Sequence, residues 1–391
     1  MRLDLCAKIF LLGVCGMHLL DVPTLWAAQL YTAEDLNIQD AVKAVGPNLS
    51  GQAAVRSGFT AARSDLATRG TTPARIGLPS TGVTGTATTN GITSARTAVG
   101  SSNRGDDITA YGINDAGLVV GSSNISFGSQ QCRPNIPDAP PSGTCTLSAV
   151  HAVIWMKNDS LRDLGTLPGD TASEASGVNN STAVVGYSSG PNGARAFLWT
   201  PSTGMQNLGT LPGGTTSKAR GISDNGLIVG SSSSSGGTRA VLWTRGGIQN
   251  LGTLPGDLSS EAYAVNNRGA VVGYSQGPAG TRAFLWTSQN GMQALPSLPG
   301  GSVTRALALS DKNEVVGSSG SALGARAVLW NAAGEVQDLQ AVVPVPSGVT
   351  LFEAVGINAN GSILAMGGDE RNAHGFHEGS SRAFLLTPTG P

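Results

Sequence analysis

One stretch decides the fold of this chain: Arg195-Ala-Phe-Leu-Trp-Thr200, with its continuation Gly204-Met-Gln-Asn-Leu-Gly-Thr-Leu-Pro-Gly213. Close copies of its apolar run recur along the chain and end on Trp155, Trp199, Trp243, Trp286 and Trp330. These tryptophans stand 43 or 44 residues apart. A fixed period in this range is typical of a repeat architecture, in which each unit buries its apolar face against its neighbours.

A single repeat predicts four short antiparallel strands. The predicted strands are Lys218–Ile222, Leu227–Ser231, Thr238–Thr244 and Ile248–Leu254. Ser223-Asp-Asn-Gly226 is typical of a hairpin turn, since an Asn-Gly pair tolerates positive φ. Pro255 ends the unit because proline donates no hydrogen bond to a ladder. Four strands in about 44 residues favour a propeller blade, whereas a parallel β-helix would have shorter turns and no hairpins.

The sequence therefore predicts an all-β fold, a β-propeller of seven four-stranded blades. The second-strand signal, exemplified by Leu227-Ile-Val-Gly230, occurs six times, and the sixth copy is degenerate. A degenerate additional blade is expected at 41–91, with its first and second strands at Ala41–Val45 and Gln52–Arg56 and its third strand near 74–83. The other repeats are predicted at about 108–170, 171–214, 215–257, 258–301, 302–349 and 350–391.

The two ends of the propeller are expected to complete each other. The final repeat stops after its third strand, Ser381–Thr387, and has no fourth strand. The segment 29–36 resembles an isolated fourth strand. Adding it to the last blade would close the ring and cover a sheet edge that is otherwise prone to aggregation. Residues 29–391 are thus expected to form one domain.

The N-terminal segment indicates export. Arg2 and Lys8 precede the apolar run Ile9–Leu20, which is too short to span a bilayer as a helix. It fits a signal peptide over 1–28, and a buried N-terminal helix is the alternative. A periplasmic or extracellular location follows, with no transmembrane segment in the mature chain. The net charge of −1 and the lack of a Lys/Arg run argue against a nucleic-acid partner.

The mature chain keeps two cysteines, Cys132 and Cys145, in one proline-rich insertion. In an oxidising compartment they are expected to pair, which would stabilise the chain by about 3 kcal/mol in the chain-entropy model. Two free thiols are the alternative. A zinc site is disfavoured because two cysteines do not complete a tetrahedral shell.

The combined repeat motif resembles the bacterial HAF-repeat family, the "probable extracellular repeat" proteins. It reads Ala-x-Gly-Ile-Asn-x-x-Gly-x-Val-Val-Gly, then Ala-Phe-Leu-Trp, then Asp-Leu-Gly-Thr-Leu-Pro-Gly, and it covers 110–388 well and 29–104 weakly. The resemblance implies export and a repeat fold, and implies no known activity. The histidine that names the family is present only as His151, and arginine replaces it at the other repeats.

A ring of charges is the predicted binding surface. The residues just before each first strand alternate in sign: Glu174, Lys218, Glu261, Arg305 and Glu353. In a propeller the connections into the first strands lie at one face near the channel, so these charges should ring its mouth, with Asp170 and Asp257 beside them. The alternative is a solvated face whose ion pairs each contribute under about 1 kcal/mol.

No catalytic, metal or cofactor site is predicted. His374, His377 and Glu378 form the one close His/carboxylate cluster and are a weak metal candidate, and a solvated Gly/Ser-rich loop is the favoured interpretation. The Asn/Asp-Gly turns lack the spaced carboxylates of a calcium loop and are interpreted as hairpin turns. The phosphate-loop and Ser/His/Asp patterns of enzymes are absent from the sequence.

Three functions remain open at this point. The first is a non-catalytic exported scaffold that binds a glycan, peptide or protein partner through its loop face. The second is a propeller-type hydrolase or lyase acting on a polysaccharide. The third is a structural envelope or matrix component. Carboxylates or aromatic side chains converging at the channel mouth would favour a ligand-binding protein or an enzyme.

Overall fold

The structure is a computed structural model that describes residues 31–36, 41–47, 49–50, 52–57, 63–67, 97–99, 108–131, 144–155, 161–369 and 381–389. These residues form seven four-stranded antiparallel sheets. Blade 1 consists of β2–β5, blade 2 of β6–β9, blade 3 of β10–β13, blade 4 of β14–β17, blade 5 of β18–β21 and blade 6 of β22–β25. Blade 7 has the order β26-β27-β28-β1, so its outer strand comes from the other end of the chain.

The strands and the one short 3-10 helix of the described chain have the following bounds. They are β1 (Tyr31–Asp35), β2 (Ala41–Val45), β3 (Ala53–Ser57), β4 (Arg63–Ala67), β5 (Thr97–Val99), β6 (Ile108–Ile113), β7 (Val119–Gln131), β8 (Thr144–Trp155), β9 (Leu161–Asp163), β10 (Ala172–Val178), β11 (Val184–Gly190), β12 (Gly193–Thr200), β13 (Gly204–Asn207), β14 (Ser217–Ile222), β15 (Ile228–Ser234), β16 (Gly237–Thr244), β17 (Gly247–Gly252), β18 (Ser259–Val265), β19 (Val271–Gly277), β20 (Gly280–Thr287), β21 (Gly291–Ala294), β22 (Thr304–Leu309), β23 (Val315–Ser321), β24 (Gly324–Trp330), β25 (Val336–Asp338), η1 (Leu339–Ala341), β26 (Val349–Ile357), β27 (Ile363–Asp369) and β28 (Arg382–Pro388).

The predicted all-β propeller architecture is confirmed. The four strands expected in the repeat at 218–254 are β14 to β17, with bounds that differ by no more than a few residues. The first strands of the sheets are innermost, and each contacts the first strand of the next blade from β2 around to β26 and back to β2. Blade count and closure of the ring in solution stay predictions.

Blade 1 differs from its expected form. Its first two strands lie where the sequence indicates, at β2 and β3. Its third strand is β4 (Arg63–Ala67), earlier than the expected segment 74–83, which lies outside the described residues. Its fourth strand, β5 (Thr97–Val99), lies beyond the expected end of the blade at residue 91. The repeat pattern is weakest here, so apolar periodicity does not specify the register of the later strands.

The core is distributed between adjacent sheets. Phe197 and Ala196 on β12 and Val185 on β11 are all fully buried, although they belong to different faces of blade 3. One cluster joins Val185 and Ala196 of blade 3 to Val241 and Trp243 of blade 4. Each sheet is thus covered on both faces, which explains why the third strands are continuously apolar.

Buried hydroxyl groups join neighbouring sheets. The hydroxyl of Ser217 on β14 accepts a hydrogen bond at 3.0 Å from the backbone N–H of Ala196 on β12, and it donates to the carbonyl of Gly209. Ser260 and Thr304 accept equivalent bonds from Ala240 and Ala283. A buried hydroxyl is therefore satisfied at each of these blade contacts, as buried polar groups require.

A basic side chain on the third strand lies close to a carboxylate in several blades and has a structural role there. Arg195 and Arg282 form ion pairs with Asp170 and Asp257 at 2.8 and 2.9 Å. His151 occupies the same position in blade 2, and its Nδ1 lies 3.0 Å from Asp163 on the fourth strand. Other third-strand arginines also pair with fourth-strand carboxylates. These pairs are Arg326–Asp338 and Arg382–Asp35, at 3.9 and 2.8 Å.

Candidate functional site

The predicted charges lie on the inner strands. Each one immediately precedes an alanine that is fully buried between blades, as Glu174 precedes Ala175 and Glu261 precedes Ala262. Because side chains alternate along a strand, the charged side chain points away from that blade contact. We call the surface formed by these residues and their immediate neighbours the charged mouth. Its predicted members are Glu174, Lys218, Glu261, Arg305 and Glu353.

Glu261 is the centre of a hydrogen-bonded network in the charged mouth. Its carboxylate accepts a bond at 2.7 Å from Nε of Arg220, and a second at 3.1 Å from the hydroxyl of Tyr274. Tyr263 packs against Tyr274, with ring centroids 5.6 Å apart. Burial alone would lower the pKa of Arg220, but the charge and hydrogen bond of Glu261, together with electrostatic interactions with Tyr263 and Glu174, outweigh burial and the net shift is upward. The arginine therefore stays charged.

The tyrosines of this network act as hydrogen-bond donors near neutral pH. Burial, followed by the charge of Glu261, raises the pKa of both Tyr263 and Tyr274. Burial and the charge of Glu174 raise the pKa of Tyr187 to about 12. Lys218 lies over the ring of Tyr187, with Nζ 4.5 Å from the centroid, a cation–π contact. The charged mouth thus combines fixed charges with protonated phenols.

Arg305 and Glu353 have fewer contacts than the other charges. Arg305 is exposed, and within the described chain no carboxylate forms an ion pair with it. Burial raises the pKa of Glu353, and the charge of Arg305 opposes that rise. Arg305 is therefore the charge least committed to an internal partner and the most available to a ligand, whereas Glu353 is partly buried beside it.

The other two predicted residues, Asp170 and Asp257, are committed to the scaffold. Their side chains are 2% and 1% exposed, because each is covered by the arginine with which it pairs. A carboxylate this buried offers little surface to a ligand.

Sequence reasoning missed Arg220 and the tyrosines. Arg220 and Tyr263 each lie two residues after a predicted charge on the same inner strand. Period-two alternation places such residues on the same side of a strand, so this signal was present in the sequence. A bulge between Ala219 and Gly221 modifies the alternation. Tyr274 has no such signal, because it comes from the second strand and reaches Glu261 through the β18–β19 register.

The opposite end of the channel carries a cavity of about 270 Å³. The hairpin turns between first and second strands bound it, and we call this end the amide mouth. Its rim contains Asp115, Asn180, Asp224, Asn267 and Asp311. Below the rim lies a collar of aliphatic side chains, the last residues of the inner strands. The collar consists of Ile113, Val178, Ile222, Val265, Leu309 and Ile357.

Hydrogen bonds link the turns of the amide mouth from blade to blade. The backbone N–H of Asn180 donates to Asp224 at 2.9 Å, and the Asn180 amide donates to both Asp115 and Asp224, at 2.7 and 3.1 Å. Asn267 makes the same pair of bonds to Asp311 at 3.0 and 3.1 Å. The sequence predicted hairpin turns here but not the hydrogen bonds between them, because these side chains meet only when the blades pack together.

Neighbouring inner strands pack closely between the levels of the two mouths. Gly177 and Gly221 lie between the charged position and the collar position of their strands. A methyl group added at Gly221 would lie 2.7 Å from the carbonyl oxygen of Tyr263 on the next inner strand. Glycine is therefore required there, so that neighbouring backbones can approach. No residue of the charged mouth lines the cavity.

The remaining candidates lie largely outside the described residues. This applies to His374, His377, Glu378 and Cys132, and for Cys145 the structure describes the backbone only. Among the residues that are described, no group of three or more His, Cys, Asp or Glu side chains is placed to hold a metal ion. In the same part of the chain there is no helix with the length and apolarity needed to cross a bilayer.

Comparison with known proteins gives structural resemblance alone. No protein-family model and no curated protein matches this chain. TolB from Acinetobacter baumannii is 13% identical, with a TM-score of 0.35 over 61% of this chain, which spans 60% of the length of TolB. Virginiamycin B lyase from Staphylococcus aureus is 12% identical, with a TM-score of 0.46 over 91% of this chain and 98% of the lyase. Dipeptidyl peptidase 4 from Porphyromonas gingivalis is 9% identical, with a TM-score of 0.29 over 85% of this chain and 48% of the peptidase.

Proposed function

We propose that this protein is an exported, non-catalytic HAF-repeat scaffold that binds a glycan, peptide or protein partner at its charged mouth. The observation that supports this proposal is the convergence of alternating charges on the inner strands with tyrosines from the first and second strands. Phenol rings supply flat apolar surface and hydroxyl donors, and charges of both signs orient a polar ligand. A polar ligand is therefore favoured over an apolar one.

Two of the charges would contact this ligand most directly. Arg305 is exposed and Glu353 has no hydrogen-bonded partner among the described side chains, whereas Glu261 is already occupied by Arg220 and Tyr274. Tyr263 lies close enough to both Arg305 and Glu353 for their charges to shift its pKa. Arg305 thus forms the exposed part of the charged mouth, and Glu353 and Tyr263 lie beside it partly buried.

The experiment is a screen of glycans and peptides against the full mature chain, followed by titration of the best ligand. Arg305→Gln removes an exposed charge and leaves every ion pair intact, so it should weaken binding about three- to fivefold without changing the melting temperature. Added salt should weaken binding to the unaltered protein as well. Asp224→Asn, at the opposite mouth, is the matched control. If neither Arg305→Gln nor added salt changes the affinity, the ligand does not bind at the charged mouth.

A polysaccharide hydrolase or lyase is a second candidate, favoured by one observation. Burial raises the pKa of the Glu353 carboxyl, as expected of a general acid, and Arg305 opposes the shift. Against a lyase, the raised pKa values of Tyr263 and Tyr274 make both poor bases. Release of reducing or unsaturated sugar ends, abolished by Glu353→Gln, would establish this candidate. Binding without turnover would support the scaffold.

A further inference from the structure

The amide mouth has the features of a second binding site, distinct from the charged mouth and independent of its proposed ligand. We propose that it receives an aliphatic side chain, such as leucine, from a basic segment of a polypeptide partner. The apolar side chain would enter the collar, and the flanking cations would lie against the rim.

The size of the cavity limits what can enter. Pockets that bind drug-sized molecules start at about 300 Å³. The cavity of the amide mouth measures about 270 Å³, just below that size. It therefore suits one side chain rather than an extended oligosaccharide.

The cavity is polar at its opening and apolar deeper inside, and this order limits which ligand it can accept. Four collar residues are partly exposed although they belong to the ends of core strands. These four are Ile113, Ile222, Leu309 and Ile357. Each packs against the core on one side and lines the cavity on the other. Because the collar lies deeper than the rim, an entering group meets polar atoms first and apolar surface last.

The rim carries uncompensated negative charge. Asp115, Asp224 and Asp311 accept hydrogen bonds from amides, and none of them forms an ion pair with a lysine, arginine or histidine of the described chain. Arg268 and Lys312 lie in the same turns, but they are exposed and do not line the cavity. Three carboxylates around one opening favour a cationic neighbour.

The test separates the apolar and the cationic requirement. Acetylated and amidated tripeptides Lys-Leu-Lys, Lys-Ser-Lys and Glu-Leu-Glu are titrated into the full mature chain by calorimetry. Burying one leucine side chain implies that Lys-Leu-Lys binds roughly 10- to 150-fold more tightly than Lys-Ser-Lys. Exposed ion pairs imply that Glu-Leu-Glu binds several-fold more weakly than Lys-Leu-Lys and that salt reduces this difference.

Two variants locate the binding event. Ile222→Thr keeps the β-branch of a collar side chain but shortens it and adds a hydroxyl, so it should weaken Lys-Leu-Lys and leave Lys-Ser-Lys unchanged. Asp224→Asn should weaken both lysine peptides about two- to fivefold. Arg305→Gln, in the charged mouth, is the control and should have no effect, so failure here is distinguishable from failure of the proposed function.

Three outcomes would overturn the proposal. One is equal affinity for Lys-Leu-Lys and Lys-Ser-Lys in the unaltered protein, which needs no variant to interpret. Another is tighter binding of Glu-Leu-Glu than of Lys-Leu-Lys. The third is binding of n-hexylammonium without binding of Lys-Leu-Lys, which would make the occupant a small amphiphilic cation instead of a polypeptide.

Discussion

Replacing Tyr31 with alanine tests whether strand β1 completes blade 7. Tyr31 is 2% exposed and packs in a core cluster with Leu339, Val349 and Leu351. Removing a buried aromatic side chain of this size costs about 3–5 kcal/mol through lost burial and the cavity left behind. With an unfolding entropy of about 2 cal/mol/K per residue and roughly 300 ordered residues, the melting temperature should fall by about 5–8 °C.

The assay is thermal unfolding of Tyr31→Ala beside Thr32→Ala, a matched control on the same strand. Thr32 is exposed and pairs with Thr387 in the β1–β28 ladder, so its truncation should change stability by no more than about 0.5 kcal/mol. Loosening β1 should also expose the edge of β28 and promote self-association, visible by light scattering. If both variants melt like the unaltered protein and stay monodisperse, β1 does not close the ring.

Two further predictions concern pH and oxidation. Burial, opposed by Arg305, raises the folded-state pKa of Glu353, so the stability linked to its proton is fully present below the unfolded pKa and is lost as pH rises through the folded pKa. Glu353→Gln cannot ionise and should not lose this stability. The difference in melting temperature, variant minus unaltered protein, should therefore rise between pH 4 and pH 7. A difference that does not change with pH would contradict the raised pKa of Glu353. Cys132 and Cys145 should be linked in non-reduced peptides of exported protein, detected by mass spectrometry, and reduction should loosen that insertion alone. Free thiols in exported material would refute the bond.

The sequence predicted the repeating parts of this molecule well, because each repeat carries its own strand and turn signals. The four strands of blade 4 follow from 218–254, and the segment 29–36 contains β1, which pairs with β28, while closure of the ring in solution stays a prediction. Blade 1 was predicted less accurately, since its third strand, β4, belongs to the part of the chain where the repeat is most degraded. Where periodicity fades, strand register depends on pairing with the neighbouring sheet.

The candidate sites show where sequence reasoning ends. Their position in the repeat placed Glu174, Lys218, Glu261, Arg305 and Glu353 at equivalent sites without showing which charges are already paired. Only the tertiary structure brings Arg220 within 2.7 Å of Glu261, a residue 41 positions away on another blade. It likewise buries Asp170 under Arg195 and leaves Arg305 exposed.

By itself, the sequence determined the repeat, the strand order within a blade and the turn chemistry, because these depend on neighbours within about 44 residues. The tertiary structure decided what lies at the centre of the ring. The collar and the rim of the amide mouth contain one or two residues from each of several blades, and none of these residues has a distinctive local pattern. Their common surface arises when the inner strands come together at Gly177 and Gly221, a long-range event that no single repeat encodes.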